Sequence, residues 1–237
     1  MRKITRKAMT ATAAAAAAAA FIAVPASAAP LTYTVSLPGV TPPSPNEPLT
    51  GKNDGKVVAF NTTTGAVLEC VDVGTTNALV ADGEVNVGTG LSGTGLGLVT
   101  AVDFNNCTVN GQTATVTAQN LPWRLDATGA VSGGVTPGKL VGVSVHVLVN
   151  GLACEADFQG PSGTDGFIEG THTNPANPGD PSELTLPFGA VNNLTAANVT
   201  HPQCPANLVD DGHGAALSGK VDLRGVNSTL NEGPTVS

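Results

Sequence analysis

The chain is predicted to be all-β, an antiparallel β-sandwich or barrel with two disulfides. Three observations lead there. Val141, Val143, Val145, Val147 and Val149 occupy every second position, so in a strand all five project to one face. Asn110-Gly111 and Asn150-Gly151 punctuate the apolar runs, and Asn-Gly is a strong hairpin-turn signal. Beyond residue 29 no segment carries apolar residues at the 3.6-residue period of a helix. Composition agrees. Valine's branched Cβ suits a pleated sheet, 29 glycines supply turns, and one Trp, one Tyr and six Phe leave little aromatic bulk for a core.

Residues 1–29 read as a secretory signal peptide. Arg2, Lys3, Arg6 and Lys7 form a basic start, Ala8 to Val24 an alanine-rich apolar stretch, and Pro25-Ala26-Ser27-Ala28-Ala29 a small-residue cleavage site after Ala28 or Ala29. The stretch is shorter than the ~20 residues of a spanning helix. No cysteine follows the site to take a lipid, and no second apolar run exists, so a free, secreted, extracellular protein is expected. Four of the ten Lys and Arg leave with the signal and none of the 18 acids do. A surface this acidic repels phosphate backbones and anionic lipid heads, which disfavours nucleic-acid binding and electrostatic docking on membranes.

Residues 30–50 read as an N-terminal strand, Leu31 to Leu37, followed by a linker with five prolines between Pro38 and Pro48. The folded body is expected over residues 51–237. Lys56 to Phe60 and Ala66 to Val73 read as short strands around a Thr62-Thr63-Thr64-Gly65 turn. Gly97 to Phe104 and Gln112 to Ala118 read as a hairpin turning at Asn110-Gly111. Lys139 to Val149 reads as one long strand, with Leu152 to Gln159 as its partner. Ser182 to Phe188 and Gly219 to Val226 add further strands. Gly160 to Pro181, rich in Gly, Pro, Thr and Asn, reads as loop. About ten strands with frequent turns indicate a sandwich or barrel.

Cys70, Cys107, Cys154 and Cys204 allow three disulfide connectivities. Pairing in sequence order, Cys70 with Cys107 and Cys154 with Cys204, is preferred because it staples two similar halves. In the chain-entropy treatment each such loop contributes roughly 4 kcal/mol. No Cys-x-x-Cys pair exists and the spacings fit no zinc site, so the cysteines are read as structural.

Motifs that carry chemistry are few. Gly88-Thr89-Gly90-Leu91-Ser92-Gly93 matches the dinucleotide fingerprint in letters, but a strand rather than a helix is expected after it, so no cofactor is assigned. Neither Gly-x-Ser-x-Gly nor His-Glu-x-x-His occurs, and no catalytic residue is assigned. Glu155 and Asp157, two apart on a strand, are the best paired carboxylates. With Cys154, Ala156 and Phe158 facing the core, they read as a solvated face. Asp210-Asp211-Gly212-His213-Gly214 reads as an acidic turn, because it lacks the spaced carboxylates of a calcium loop. His146, His172, His201 and His213 are scattered, and no metal site is assigned. Trp123, the sole tryptophan, is either a core anchor or, if exposed, a platform for a sugar ring with Arg124 and Asp126 bonding its hydroxyls. The core role is the better supported of the two.

Phe104-Asn105-Asn106-Cys107-Thr108, Ala114-Thr115-Val116-Thr117-Ala118, Asn120-Leu121-Pro122-Trp123 and Gly151-Leu152-Ala153-Cys154, together with the alanine-heavy start, resemble a group of secreted four-cysteine all-β proteins common in actinobacteria. The resemblance covers most of the chain after the signal and implies export and a β fold, with no activity to carry over. A shorter similarity, confined to the cysteine and Leu-Pro-Trp region, is to the exported activator of alkane oxidation, a group thought to lack catalytic residues. The leading expectation is a non-enzymatic extracellular or surface-associated binding or structural module, with cell-wall or extracellular polysaccharide as a candidate partner. The alternatives are a glycan hydrolase acting through Glu155 and Asp157, and a coat component that assembles through strand edges.

Overall fold

A computed structural model describes residues 30–237; the signal segment lies outside the described residues. Seventeen strands are present among them: β1 Thr32–Ser36, β2 Ser44–Asn53, β3 Val57–Asn61, β4 Val67–Cys70, β5 Leu79–Ser92, β6 Gly97–Phe104, β7 Cys107–Val109, β8 Gln112–Gln119, β9 Trp123–Ala127, β10 Val135–Val141, β11 Ser144–Val149, β12 Cys154–Gln159, β13 Phe167–Thr173, β14 Ser182–Leu186, β15 Thr195–Ala197, β16 Ala215–Gly225 and β17 Thr235–Val236. All pairings are antiparallel and join one sheet.

Their pattern is simpler than their number. Consecutive strands combine into seven long staves, each interrupted near its middle: β2–β3, β4–β5, β6–β7, β8–β9, β10–β11, β12–β13 and β14–β15. The uninterrupted β16 is the eighth. Each stave pairs with the next along the chain. One tier runs β2–β5–β6–β9–β10–β13–β14–β16. The other runs β3–β4–β7–β8–β11–β12–β15. β16 closes both. Its C-terminal part pairs with β2 (Val221 with Asn53, Leu223 with Gly51) and its N-terminal part with β3 (Ala215 with Asn61). On its other side β16 pairs with β14, and Gly214 bridges to Thr195 of β15. The fold is therefore an eight-staved up-and-down barrel, with its sheet closed on itself.

Alternation along the staves decides what faces inward. Trp123 and Leu125, Val147 and Val149, Cys154 and Ala156, and Leu184 and Leu186 line the interior. Asp82, Thr115, Thr117, Arg124, Glu169 and Lys220 face solvent. A membrane barrel carries its apolar residues on the outside, the reverse of this arrangement. Among the described residues no helix is long and apolar enough to cross a membrane.

Both ends are covered. At one end β1 pairs with β5 and β17. It buries Tyr33, Val35 and Leu37 with Leu49, Val85, Leu96 and Val236. Tyr33 Oη donates to the Gly129 carbonyl (2.9 Å), and Asn174 clasps the Val236 backbone through both its amide atoms (2.9 and 2.8 Å). At the other end residues 198–213 fold over the opening. Leu208 and Val209 pack inward, and the Leu208 carbonyl accepts hydrogen bonds from Asn61 Nδ2 and Thr64 Oγ1, both 3.0 Å.

The disulfides are Cys70–Cys107 and Cys154–Cys204, the connectivity expected. They do not staple two halves. Cys70 and Cys107 are directly opposed on β4 and β7, and Cys154 opens β12, so both lie in the same tier, while the tier closed by β1 and β17 has none.

Several sequence-based assignments need revision. The body begins before Gly51, since β2 starts at Ser44 and includes Pro45 and Pro48. The Asn110-Gly111 hairpin joins β7 to β8, whereas β6 meets β8 only at Asp103 and Thr117. Both turn residues take positive φ (48° and 82°), as a type I′ turn requires. The long valine strand is two, and the five valines do not share one face: in β10 Leu140 lines the interior and Val141 does not, whereas from Val143 to Val149 the valines do. Gly142 at φ 88° bends the chain, and the Gly142 and Val143 amides both donate to the Gly166 carbonyl, so β10 continues one tier and β11 the other. The turn at Asn150 takes four residues, as Val149 pairs with Cys154. Within the expected Gly160–Pro181 loop lies β13.

Two glycines show how closely the staves approach. Gly138 and Gly170 face each other on β10 and β13. A Cβ at Gly138 would lie 2.7 Å from the Asp126 carbonyl oxygen, and one at Gly170 2.5 Å from that of Thr185. Glycine in a strand interior marks such a close approach. Gly170→Ala is expected to lower stability by about 1–3 kcal/mol through overpacking. Gly151→Ala, whose methyl would meet only Gln112 Oε1 at 3.8 Å, should change it by under about 0.5 kcal/mol. Urea-denaturation midpoints compare the two.

Candidate functional site in the barrel lumen

An eight-stranded barrel encloses a space that side chains can fill or that can hold one small ligand. Here they do not fill it. A cavity of about 280 Å³ runs between the core clusters, and every stave contributes to its wall. The composition explains the gap. The inward positions carry mainly Val, Leu, Ala and Gly, and few aromatic rings, Trp123, Phe104 and Phe158 among them, reach the interior. Protein interiors are normally packed like organic crystals. At ~24 cal/mol per Å³, unfilled volume of this size corresponds to about 7 kcal/mol of forgone packing.

The wall is mostly apolar. Asn61 lines it at the far end but is engaged with the Leu208 carbonyl, and the unpartnered polar groups lie at the end covered by β1 and β17. Thr136 lies near the start of β10, and its register partner across the ladder is His172 near the end of β13. Directly opposed residues of antiparallel strands share a face, with Cβ atoms ~4.5–5.5 Å apart. Both line the cavity, and neither Thr136 Oγ1 nor either ring nitrogen of His172 has a hydrogen-bond partner. Ser182 Oγ, also unpartnered, lies beyond Leu184 toward the same end, against Gly233. Buried polar groups are usually paired, so three such side chains at one end of an apolar lumen are distinctive. Burial pushes the His172 imidazole down from 6.5 to about 4, an effect only partly offset by the Pro234 carbonyl, which does not meet hydrogen-bond geometry at the ring. His172 is thus neutral at pH 7.

The residues singled out in the sequence fall elsewhere or play other parts. Trp123 is buried on the inner face at the waist of the barrel, donating through Nε1 to the Gln119 carbonyl (2.8 Å). Arg124 and Asp126 sit at the alternate, outward positions, so the three do not converge on one surface. Arg124 grips Asp126 through Nε (2.7 Å) and Nη2 (2.9 Å), and the Gly95 amide donates to the same carboxylate. Burial alone would raise the Asp126 pKa, but these hydrogen bonds and the guanidinium charge outweigh it and hold the carboxyl below its usual range.

Glu155 and Asp157 face outward and do not border the lumen. Asp157 is engaged by His146 Nδ1 (2.8 Å) and Asn198 Nδ2 (2.7 Å). The 210–214 turn locks the far cover in place. His213 Nδ1 accepts from the Asp210 amide (3.1 Å), and Asp211 accepts from the Val199 amide (3.1 Å). Among the described residues no group of three or more His, Cys, Asp or Glu could hold a metal ion. Gly88 to Gly93 spans the end of β5 and the turn into β6, with no helix after it. Of the lumen's polar pair, the sequence marks His172 only as one of four scattered histidines, and no motif marks Thr136.

Between pH 6.5 and about 4 the unfolded chain takes up a proton at residue 172 that the folded chain refuses. Stability is therefore lost as pH falls through that window, by up to about 3 kcal/mol. His172→Phe should remove this component. Denaturation curves at pH 7 and pH 4 should show wild type losing more stability than the variant. Comparison with protein families, with curated proteins and with solved structures finds no match to this chain.

Proposed function

We propose that the protein is a non-enzymatic, exported binding module whose site is the barrel lumen. The observation that carries this reading is the apolar cavity of about 280 Å³ inside a closed and doubly covered barrel. A dry, apolar cavity of ~150 Å³ suffices to bind benzene, and a ligand's apolar surface gains ~25 cal/mol per Å² on entering such a site. Paired disulfides fit an oxidising compartment, which supports the extracellular setting. A glycan hydrolase acting through Glu155 and Asp157 has less support, since both carboxylates lie on the convex outer wall.

Trp123, the sole tryptophan, lines the cavity and reports its occupancy. Titration with n-octane is expected to perturb Trp123 fluorescence saturably, with one-to-one stoichiometry by native mass spectrometry. Ala81→Leu adds bulk at an inward position of β5. It should weaken octane binding about tenfold or more while leaving thermal stability unchanged or raised, as filling a void does. Octane binding unaffected by Ala81→Leu, or absent from wild type, would count against the lumen as the site.

A further inference from the structure

The lumen is mostly apolar and its unpartnered polar groups lie at one end, and that asymmetry specifies a kind of ligand. We infer that it takes an uncharged aliphatic molecule bearing a hydroxyl, the hydroxyl held between His172 and Thr136 and the chain running toward Trp123. This rests on the lumen being the binding site.

Three observations support it. First, Thr136 Oγ1 and both ring nitrogens of His172 are buried, unpartnered and on the cavity wall. Their strands hold them directly opposite one another, within reach of a single ligand oxygen. A neutral imidazole offers one donor and one acceptor, and the threonine hydroxyl can serve as either. A ligand hydroxyl, itself both donor and acceptor, can bond to the two at once. An alkane would leave them as they are.

Second, nothing inside the lumen balances a charge. The charged residues bordering it, Asp82, Asp126 and Lys139, occupy alternate positions to the inward-facing Ala81, Leu125 and Gly138. Asp126 is already engaged by Arg124. Burial keeps His172 uncharged. A carboxylate head would enter unpaired and could only accept, at the cost that burying an isolated charge carries.

Third, the polar pair sits beneath the cover formed by β1 and β17, beside Pro234, while the rest of the wall as far as Trp123 is mainly Val, Leu, Ile, Ala and Gly. The arrangement accommodates a head at the covered end and an apolar tail toward the waist. Scaling from benzene in a ~150 Å³ cavity, the volume suits a chain of about eight carbons.

The test compares n-octane, 1-octanol and octanoate on the full mature chain, by Trp123 fluorescence and native mass spectrometry. In wild type, 1-octanol is expected to bind at least as tightly as n-octane. Without hydrogen bonds inside, the alcohol would be far the weaker, because its hydroxyl would be desolvated for nothing. His172→Phe and the near-isosteric Thr136→Val should each weaken 1-octanol about tenfold or more and leave n-octane unchanged or tighter. Near-UV circular dichroism of Trp123 confirms that each variant is folded, and the two substitutions serve as independent checks. Octanoate should bind more weakly than 1-octanol at pH 7. If n-octane binds but 1-octanol is much weaker in wild type, or loses no more affinity than n-octane in both variants, head recognition is wrong while lumen binding stands. If octanoate binds as tightly as 1-octanol, the uncharged head is wrong. If none of the probes binds, both readings fall together.

Discussion

The structure depends on the closure made by β16. This single strand hydrogen-bonds to β14 and to β2 and β3, with Gly214 extending the ladder to β15, and so converts a meander into a tube. Closure removes the free edges at which antiparallel sheets aggregate. It also fixes the interior, because the diameter of a barrel follows from strand number and tilt rather than from the side chains at hand. A chain rich in valine and poor in aromatic rings has then to line a space it cannot fill. The lumen is a geometric outcome of eight staves combined with small inward residues.

Strand formation was legible where apolar residues alternate, and illegible where the inward position is not apolar. The valines from Val143 to Val149 and the hairpin at Asn110-Gly111 announced themselves. β13 did not: its inward residues are Ile168, Gly170 and His172, set among Thr and Glu, and only one of the three is apolar. Gly170 is there because the backbone of β14 comes too close for a side chain, and His172 because the wall changes character at that end. The same features that make β13 distinctive in the barrel hid it in the sequence. The split of the valine strand at Gly142 was equally hidden. Valine recurs at every second position through the bend, but the inward face shifts from Leu140 to Val143 where the Gly166 carbonyl, far away in the chain, takes both amides.

The candidate site shows the same limit. The preferred cysteine pairing is the one observed, although its reason, two stapled halves, does not hold, and Trp123 could be weighed as a core anchor because its size is a property of the residue itself. Thr136 and His172 acquire meaning only through register. They are separated by most of β10, all of β11 and β12 and most of β13, and no local motif connects them. What singles them out is an unmet hydrogen-bonding demand, which depends on tertiary packing and leaves no trace in composition.

The up-and-down order of the staves has a kinetic corollary. Seven of the eight seams join strands that follow one another along the chain, so each can form as a hairpin at modest loop-closure entropy. The eighth, β16 against β2 and β3, unites nearly opposite ends of the body and is the barrel seam of greatest sequence separation. Non-local pairings of this kind slow folding, because chain entropy is lost before their contacts compensate. Until that seam forms, the apolar inner wall lies open on a curled sheet with two raw edges. The chain's most vulnerable moment is thus the interval before the eighth seam closes, when its stickiest surface faces water.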